Sequence, residues 1–295
     1  SGDKGYSGLK QLEIEAKLWW KQQRGNFDLV VAEQPFVMWA LHKAGCKLPR
    51  LQVCHSFAFE EYDTRHGLSS TYKHSLIIYA MRKLESELYH SATKLLVLSK
   101  FMQDRLVNFF GVEVGCTFIV PGAADLQKIL AEEDRIQFRQ DLAWSTPVVT
   151  TLRNLVPRTG VDLMIQTAVI VKAKRDDVRW LIMGDGILSD SLQQMAKELA
   201  VDDVVDFTGF LPEEEVQKRF FAADLFMVPT RGLEGFGLVT LEANACGLPV
   251  LATPVAANKE LVPNIKHNQL ASDASPAALA EKVLWMIEQI GRAHV

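Results

Sequence analysis

The sequence predicts an α/β protein with parallel, doubly wound sheets in two domains. Three observations carry this reading. From about residue 148 onward, short apolar runs alternate with helical patterns of about ten residues, the signature of βα units in a parallel sheet. The chain has 295 residues, a length that suits about two domains of ordinary size. Hydrophobic residues make up 48% and charged residues 23% of the sequence, an ordinary globular composition.

The elements follow in order. Leu12, Ile14, Leu18, Trp19 and Trp20 lie near helical spacing before Gly25, and core packing is the expected use of the tryptophan pair. Strands are expected at Leu29–Val31 and Leu51–Cys54. Ile77, Ala80, Met81, Leu84 and Leu88 form a helical apolar stripe. Leu95–Leu98 and Thr117–Val120 read as strands, and Pro121-Gly122 breaks the pattern. The stretch Ala131–Gln140 is charged and poor in apolar residues, which puts an inter-domain passage at about 121–146. The domains are drawn as 1–122 and 123–295. Strands then fall at Val148–Leu152, Trp180–Met183, Val204–Phe207, Leu225–Val228 and Val250–Ala252. Helices fall at Val161–Val171, Leu188–Leu199, Glu213–Ala222 and Phe236–Ala245. Ser275-Pro276 caps a last helix that turns Leu279, Val283, Leu284, Ile287 and Ile290 inward.

Bulk chemistry excludes several function classes. Net charge is −4, from 32 basic and 36 acidic residues, so no nucleic-acid footprint is present. No apolar run approaches the roughly 20 residues needed to cross a bilayer. Ser1 to Gly8 is polar and glycine-rich, so no signal peptide is expected. Cys46, Cys54, Cys116 and Cys246 form no C-x-x-C pair and are expected to be reduced, mostly buried thiols of a cytoplasmic protein. Peripheral contact with a membrane stays open.

An open α/β sheet binds ligands at the carboxyl ends of its strands, and the unusual residues cluster there. Pro229 to Thr253 places Glu234 and Glu242 on either side of a glycine-rich turn, Gly235-Phe236-Gly237, that opens a helix. Such a turn offers backbone N–H groups and a positive dipole end to an anion, and the glycines let the backbone approach closely. At 1.5 Å rise per residue, Glu242 lies about 7 Å beyond Gly237 along the helix, near the distance from a diphosphate to the ribose of the same nucleotide. Two acids flanking an anion site suit a nucleotide sugar, whose hydroxyls flank a diphosphate. The alternative is a solvent-facing glutamate pair; the apolar, small neighbours Leu241, Ala243 and Ala245 speak against it. Arg153 and Arg158 follow a strand and would neutralise a diphosphate, including the charge that grows on it as a leaving group; a solvated loop pair is the competing reading. His55 follows the strand ending at Cys54, where a neutral imidazole can accept a hydrogen bond from a hydroxyl, though a lone histidine is more often structural. His66 and His74 read as surface residues of a loop. Asp185 turns the chain or caps a helix, and Glu213-Glu214-Glu215 complements a helix dipole. No Asp-x-Asp occurs anywhere.

These residues together resemble the retaining glycosyltransferases of the GT-B fold, specifically the large family 4 group (glycosyl transferases group 1). The likeness is best from Val148 to Ile290 and looser from Phe27 to Asp125. Its most specific parts are Pro-Thr-Arg-x-Leu-Glu-Gly-Phe-Gly, Arg-x-Leu-Val-x-Arg-x-Gly, and the Glu-x7-Glu segment running on to Glu-Ala-x-Ala-Cys-Gly-x-Pro-Val. The resemblance implies two Rossmann-like, doubly wound domains facing a cleft. It implies Arg153 and Arg158 on the donor diphosphate, with Arg158 where most relatives have lysine. Glu234 would contact donor-sugar hydroxyls. Gly235, Phe236, Gly237 and Leu238 would present amides to sugar and phosphate, and Glu242 would hold the ribose. Gly209, Phe210 and Leu211 would lie near the base, and His55 near the reacting sugar in the closed enzyme. The donor would be a UDP- or GDP-sugar, used without a cofactor or metal, and the acceptor a sugar, lipid or small molecule. The family's usual opening strand and glycine-rich loop are not found, nor is its closing helix, and Ala256-Ala257-Asn258 replaces a common glycine pair. The expectation is therefore a fragment with an incomplete N-terminal domain. The rivals are a non-catalytic nucleotide-sugar-binding fragment and another GT-B enzyme such as a sugar-nucleotide epimerase.

Overall fold

The structure is a computed structural model that describes residues 2–66, 72–124 and 132–293. The chain divides into two compact units, Ser1–Pro121 and Gly122–Val295, and each is an α/β unit on one parallel sheet.

In the first unit the elements run α1 (Gly2–Gln23), β1 (Val30–Ala32), α2 (Pro35–Lys43), β2 (Arg50–Cys54), α3 (Ala58–His66), α4 (Tyr72–Ser91), β3 (Lys94–Val97), α5 (Lys100–Phe110) and β4 (Thr117–Ile119). The sheet order is β1-β2-β3-β4, all parallel. Cys54, Leu95 and Val97 of the sheet join Phe57, Tyr89, Leu106 and Phe110 in one core. Three helices here exceed the sequence reading. Helix α5 carries ordinary stop and start signals: Ser99 accepts a hydrogen bond from the Met102 N–H at 3.1 Å, and Gly111 ends the helix at φ +66°. Helix α2 has no side-chain cap at Gln34, and α3 is mostly polar.

The stripe on α4 matches the expected one at Met81 and at Leu88, which is buried, but not at its start. Ile77 and Ala80 face outward, while Ile78 and Met81 pack on the core beside Tyr89. The apolar reading skipped Glu85, which is 2% exposed and occupies a core position. His74 lies on α4, pairs with Asp63 at 2.8 Å and stacks on Tyr62, so it is no loop residue. His66 ends α3, and its side chain lies outside the described residues. Trp20 is buried as expected, but Trp19 is 44% exposed and stacks on Phe27.

The second unit runs α6 (Glu132–Asp141), β5 (Val148–Leu152), α7 (Val161–Lys172), β6 (Arg179–Met183), α8 (Ser189–Glu198), β7 (Val205–Gly209), α9 (Glu213–Ala222), β8 (Leu225–Val228), α10 (Leu238–Ala245), β9 (Val250–Ala252), α11 (Asn258–Leu261), β10 (Gln269–Leu270) and α12 (Pro276–Ala293). The charged stretch read as passage is helix α6. Its Arg135 and Arg139 bind Asp224, which also accepts the Val148 N–H at 2.8 Å. Charge alone suggested a linker; the partner that orders it lies 85 residues or more away in sequence. Apolar clusters cover both faces of the sheet, one containing Met164, Ile182 and Leu279, the other Phe220, Phe226 and Val250. Burial on both faces explains why β8 is apolar at every position. Ser275 caps α12 by accepting from the Ala278 N–H at 3.2 Å. Leu279, Val283 and Ile287 are buried and Leu284 packs partly against them; the side chain of Ile290 lies outside the described residues. Among the described residues, no helix is long and apolar enough to cross a membrane.

The second sheet is all parallel, in the order β10-β9-β8-β5-β6-β7. In order of appearance that is strands 6-5-4-1-2-3, the doubly wound order with a reversal between β5 and β8. Ligands of such sheets bind outside the carboxyl ends of the strands at that reversal.

Candidate functional site

The two loops flanking the reversal carry the expected residues. Arg153 leaves β5, and Pro229 to Gly237 leaves β8. Arg153 and Glu234 are each 8% exposed and meet directly, with Arg153 Nη2 2.5 Å from Glu234 Oε2. Thr230 completes a triangle: it accepts from Arg153 Nη2 at 2.8 Å and donates to Glu234 Oε2 at 3.1 Å. Both contacts fall on Oε2, and Oε1 takes no hydrogen bond among the described residues. Arg153 Nε is buried without a hydrogen-bond partner. The pair is thus held on one side through Nη2 and Oε2, and the Arg153 Nε–H stays buried and unmatched, where polar groups seldom do.

Backbone contacts fix this triangle. The Glu234 carbonyl accepts from the Ala257 N–H at 3.1 Å, the Thr230 carbonyl from Thr253 Oγ1 at 2.6 Å, and the Arg158 carbonyl from the Arg231 N–H at 2.9 Å. Arg231 in turn makes a two-pronged ion pair with Asp162 at the start of α7. The two loops approach so closely at Gly160 that a Cβ there would stand 1.9 Å from the Pro229 carbonyl oxygen, and its φ is +70°. Ala256 has φ +51°, a left-handed backbone at the position where the family resemblance led us to expect glycine.

Helix α10 begins at Leu238, two residues later than the sequence suggested, because Gly237 takes a left-handed φ of +89° and acts as the N-cap. Gly235 and Phe236 therefore belong to the turn. The N–H groups of Phe236, Gly237 and Leu238 donate to no acceptor among the described residues, as the first amides of a helix must unless something outside it accepts. Glu242 lies one helical turn onward and is exposed. Partial burial raises its pKa, and Glu213 at the start of α9 raises it further. Before α9 stand Gly209, Phe210 and Leu211; Phe210 is 84% exposed and Gly209 has φ +66°. Arg158 is half-buried and donates to the Leu233 carbonyl at 3.2 Å; it pairs with no carboxylate among the described residues. Asp185 is exposed and accepts from the Gly186 N–H at 2.7 Å. It turns the chain without capping α8, whose N-cap is Leu188. His55 lies in the first unit, exposed, immediately after β2.

Sequence reasoning placed the residues at the correct strand ends but missed their pairing. Thr230 and the Asp162–Arg231 tether were also missed. Thr230 and Arg231 lie inside the Pro-Thr-Arg-x-Leu-Glu motif, so its length was the available signal.

Comparison with known proteins agrees with this layout. The family "Glycosyl transferases group 1" matches residues 132–294, and "Glycosyltransferase Family 4" matches residues 5–128. The chain is 35% identical over 164 residues to a GDP-mannose-dependent alpha-(1-6)-phosphatidylinositol monomannoside mannosyltransferase of Mycolicibacterium smegmatis, over 52% of this chain and 42% of that protein. It is 24% identical over 265 residues to the uncharacterized glycosyltransferase MJ1607 of Methanocaldococcus jannaschii, over 85% of this chain and 64% of that one. The chain spans about half the length of the first curated relatives it matches. Among solved structures, Anabaena HepE in complex with UDP and glucose superimposes with a TM-score of 0.76 at 20% identity, over 95% of this chain and 71% of HepE. Sucrose-phosphate synthase of Thermosynechococcus elongatus gives 0.77 at 20% identity, over 96% and 70%. These likenesses show the GT-B fold, with two parallel-sheet units.

Proposed function

This chain belongs to the glycosyl transferases group 1 family, and on that premise we propose that it is the working part of a retaining glycosyltransferase. It moves a sugar from a nucleoside-diphosphate donor to an acceptor hydroxyl. The observation that carries this reading is the Arg153–Thr230–Glu234 triangle across the sheet reversal, beside the unaccepted amides that open α10.

In this reading the diphosphate lies against the Phe236–Leu238 amides and the positive end of α10, with Arg153 Nε and Arg158 supplying cations. These groups carry the charge that a divalent ion carries elsewhere, which supports a metal-independent reaction. Glu234 Oε1 accepts from a donor-sugar hydroxyl, and its Oε2, already held by Arg153 and Thr230, keeps the carboxylate oriented. Glu242 accepts from the ribose hydroxyls. Phe210 and Leu211, flanked by Gly209, border the base. In the chemical step the bond from the sugar's anomeric carbon to the diphosphate oxygen breaks. The acceptor oxygen bonds that carbon from the same face, and its proton passes to the departing phosphate oxygen. His55 accepts a hydrogen bond from a sugar or acceptor hydroxyl. The name of the Mycolicibacterium smegmatis relative supports GDP-mannose as the first donor to try, and the ligands of HepE support UDP-glucose as the second.

Thermal-shift titration with GDP-mannose, UDP-glucose and an ADP-sugar, followed by proton NMR of the released sugar, tests the proposal. One donor stabilises the chain and yields a product of unchanged anomeric configuration. An inverted product overturns the retaining mechanism, and the absence of stabilisation by all three overturns the donor site. Binding without any sugar release, with acceptors supplied, favours the non-catalytic alternative.

A further inference from the structure

The residue that fixes the His55 loop lies far from it in sequence. After β2 the chain passes through His55 and Ser56 to Phe57 and enters α3 at Ala58. The first amides of a helix need an acceptor, usually a short polar side chain just before it. Here a glutamate from another helix does that work. Glu85 of α4 accepts the Ala58 N–H on Oε1 at 2.8 Å and the Phe59 N–H on Oε2 at 3.1 Å. Tyr89, one turn along α4, donates to Oε1 at 3.2 Å. Glu85 is 2% exposed, and Phe57, Phe59, Tyr89 and Phe110 pack around one another as rings 4.9 to 6.2 Å apart. Burial raises the pKa of Glu85, and the three donors counter that cost only in part.

A carboxylate is an expensive way to cap a helix in an aromatic core. An apolar residue would fill the space, and the N-cap residue itself, Phe57, has no side-chain oxygen with which to accept the amides locally. What Glu85 adds is direction. Its two oxygens bind two successive amides, so α3 cannot rotate or slide against α4 without breaking both. Glu60 on α3 adds a second tether, an ion pair to Arg105 of α5. The Cys54–Phe57 turn is thereby clamped at both ends: by β2 in the sheet before His55, and by Glu85 after it.

We propose that Glu85 is the positioning residue of His55, acting through the Ala58 and Phe59 amides to hold the imidazole at the carboxyl end of β2. The proposal rests on the reading that His55 meets a substrate hydroxyl. Glu85 itself touches no substrate.

The test is the Glu85→Gln variant of the chain, which keeps the side-chain shape but sets an NH2 group against one of the two amides. The first readout needs no substrate. In the wild type the His55 Cε1–H gives one sharp NMR resonance; in Glu85→Gln it broadens or splits, while those of His42 and His267 stay in place. An unmoved His55 resonance overturns the proposal, and so does an equal change in all three, which reports general loosening. The second readout is release of nucleoside diphosphate from GDP-mannose or UDP-glucose. Glu85→Gln lowers kcat by roughly 10- to 100-fold with little change in KM for the donor, and the loss disappears in a His55→Ala background. An equal loss in both backgrounds overturns the positioning role. If His55→Ala turns over like the wild type, the role of His55 fails and the proposal with it. An impaired His55→Ala beside a fully active Glu85→Gln removes Glu85 alone.

Discussion

Replacing Glu234 by alanine separates the stability of the site from its chemistry. In the wild type the Glu234 carboxylate neutralises Arg153, and both side chains are 8% exposed. Removing one partner of a buried ion pair leaves an uncompensated charge, which costs about 3–5 kcal/mol. For a unit of this size each kcal/mol lowers Tm by roughly 2–4 °C, so the unit Gly122–Val295 should melt about 10 °C lower. A diphosphate brings a replacement anion to the same guanidinium. Saturating GDP or UDP, whichever base the site accepts, should therefore raise the Tm of Glu234→Ala by more than it raises that of the wild type. Affinity for the nucleoside diphosphate, which has no sugar for Glu234 to bind, should hold or rise, while turnover of the nucleotide sugar falls by at least about 100-fold. Differential scanning calorimetry with and without nucleotide, and titration calorimetry, give both numbers. An unchanged Tm would mean that the pair does not matter to the fold. Nucleotide affinity that falls with the mutation would mean that Glu234 serves the diphosphate and not the sugar.

Other consequences can be checked separately. Glu242→Ala should weaken nucleoside-diphosphate binding by roughly tenfold, the scale of a lost charged hydrogen bond, and unchanged affinity in calorimetry refutes the ribose assignment. Glu242→Gln adds a pH signature. Because the folded-state pKa of Glu242 is raised, its ionised form disfavours folding, and stability is lost as pH rises through that raised value. The glutamine variant should melt on the order of 1 °C higher at pH 7, with the gain vanishing below the unfolded carboxylate pKa of about 4.3; a gain that grows at low pH contradicts the sign. Gly160→Ala would drive a Cβ to 1.9 Å from the Pro229 carbonyl oxygen at a φ of +70°. Loss of more than about 3 kcal/mol in denaturant unfolding is expected, and a neutral result refutes the close approach of the two loops. Asp224→Ala should release α6, seen as faster amide exchange across Glu132–Asp141; unchanged protection would mean that other contacts hold this helix.

Much of this was legible in the sequence because its signals are local. Apolar runs such as Leu225–Val228 and turn glycines such as Gly237 announce themselves by period and residue type. What was not legible depends on partners distant in the chain. The α6 segment looks like a charged linker until Asp224 is placed beside Arg135 and Arg139. The α4 stripe was read correctly at Met81 and Leu88 but wrongly at Ile77 and Ala80, and it passed over Glu85, a carboxylate that fills a core position. The Arg153–Glu234 contact spans 81 residues. Each residue was assigned to a different part of a donor molecule, when in the unliganded fold each is the other's first partner.

The central claim is that Arg153, Glu234, the start of α10 and Glu242 form one nucleotide-sugar site. Titration calorimetry of the wild type and of Glu242→Ala with GDP and UDP tests it most directly. The account predicts one-to-one binding of at least one nucleotide to the wild type without added metal, and roughly tenfold weaker binding of that nucleotide to the variant. Binding of neither nucleotide to the wild type, or equal affinity in both proteins, would contradict it.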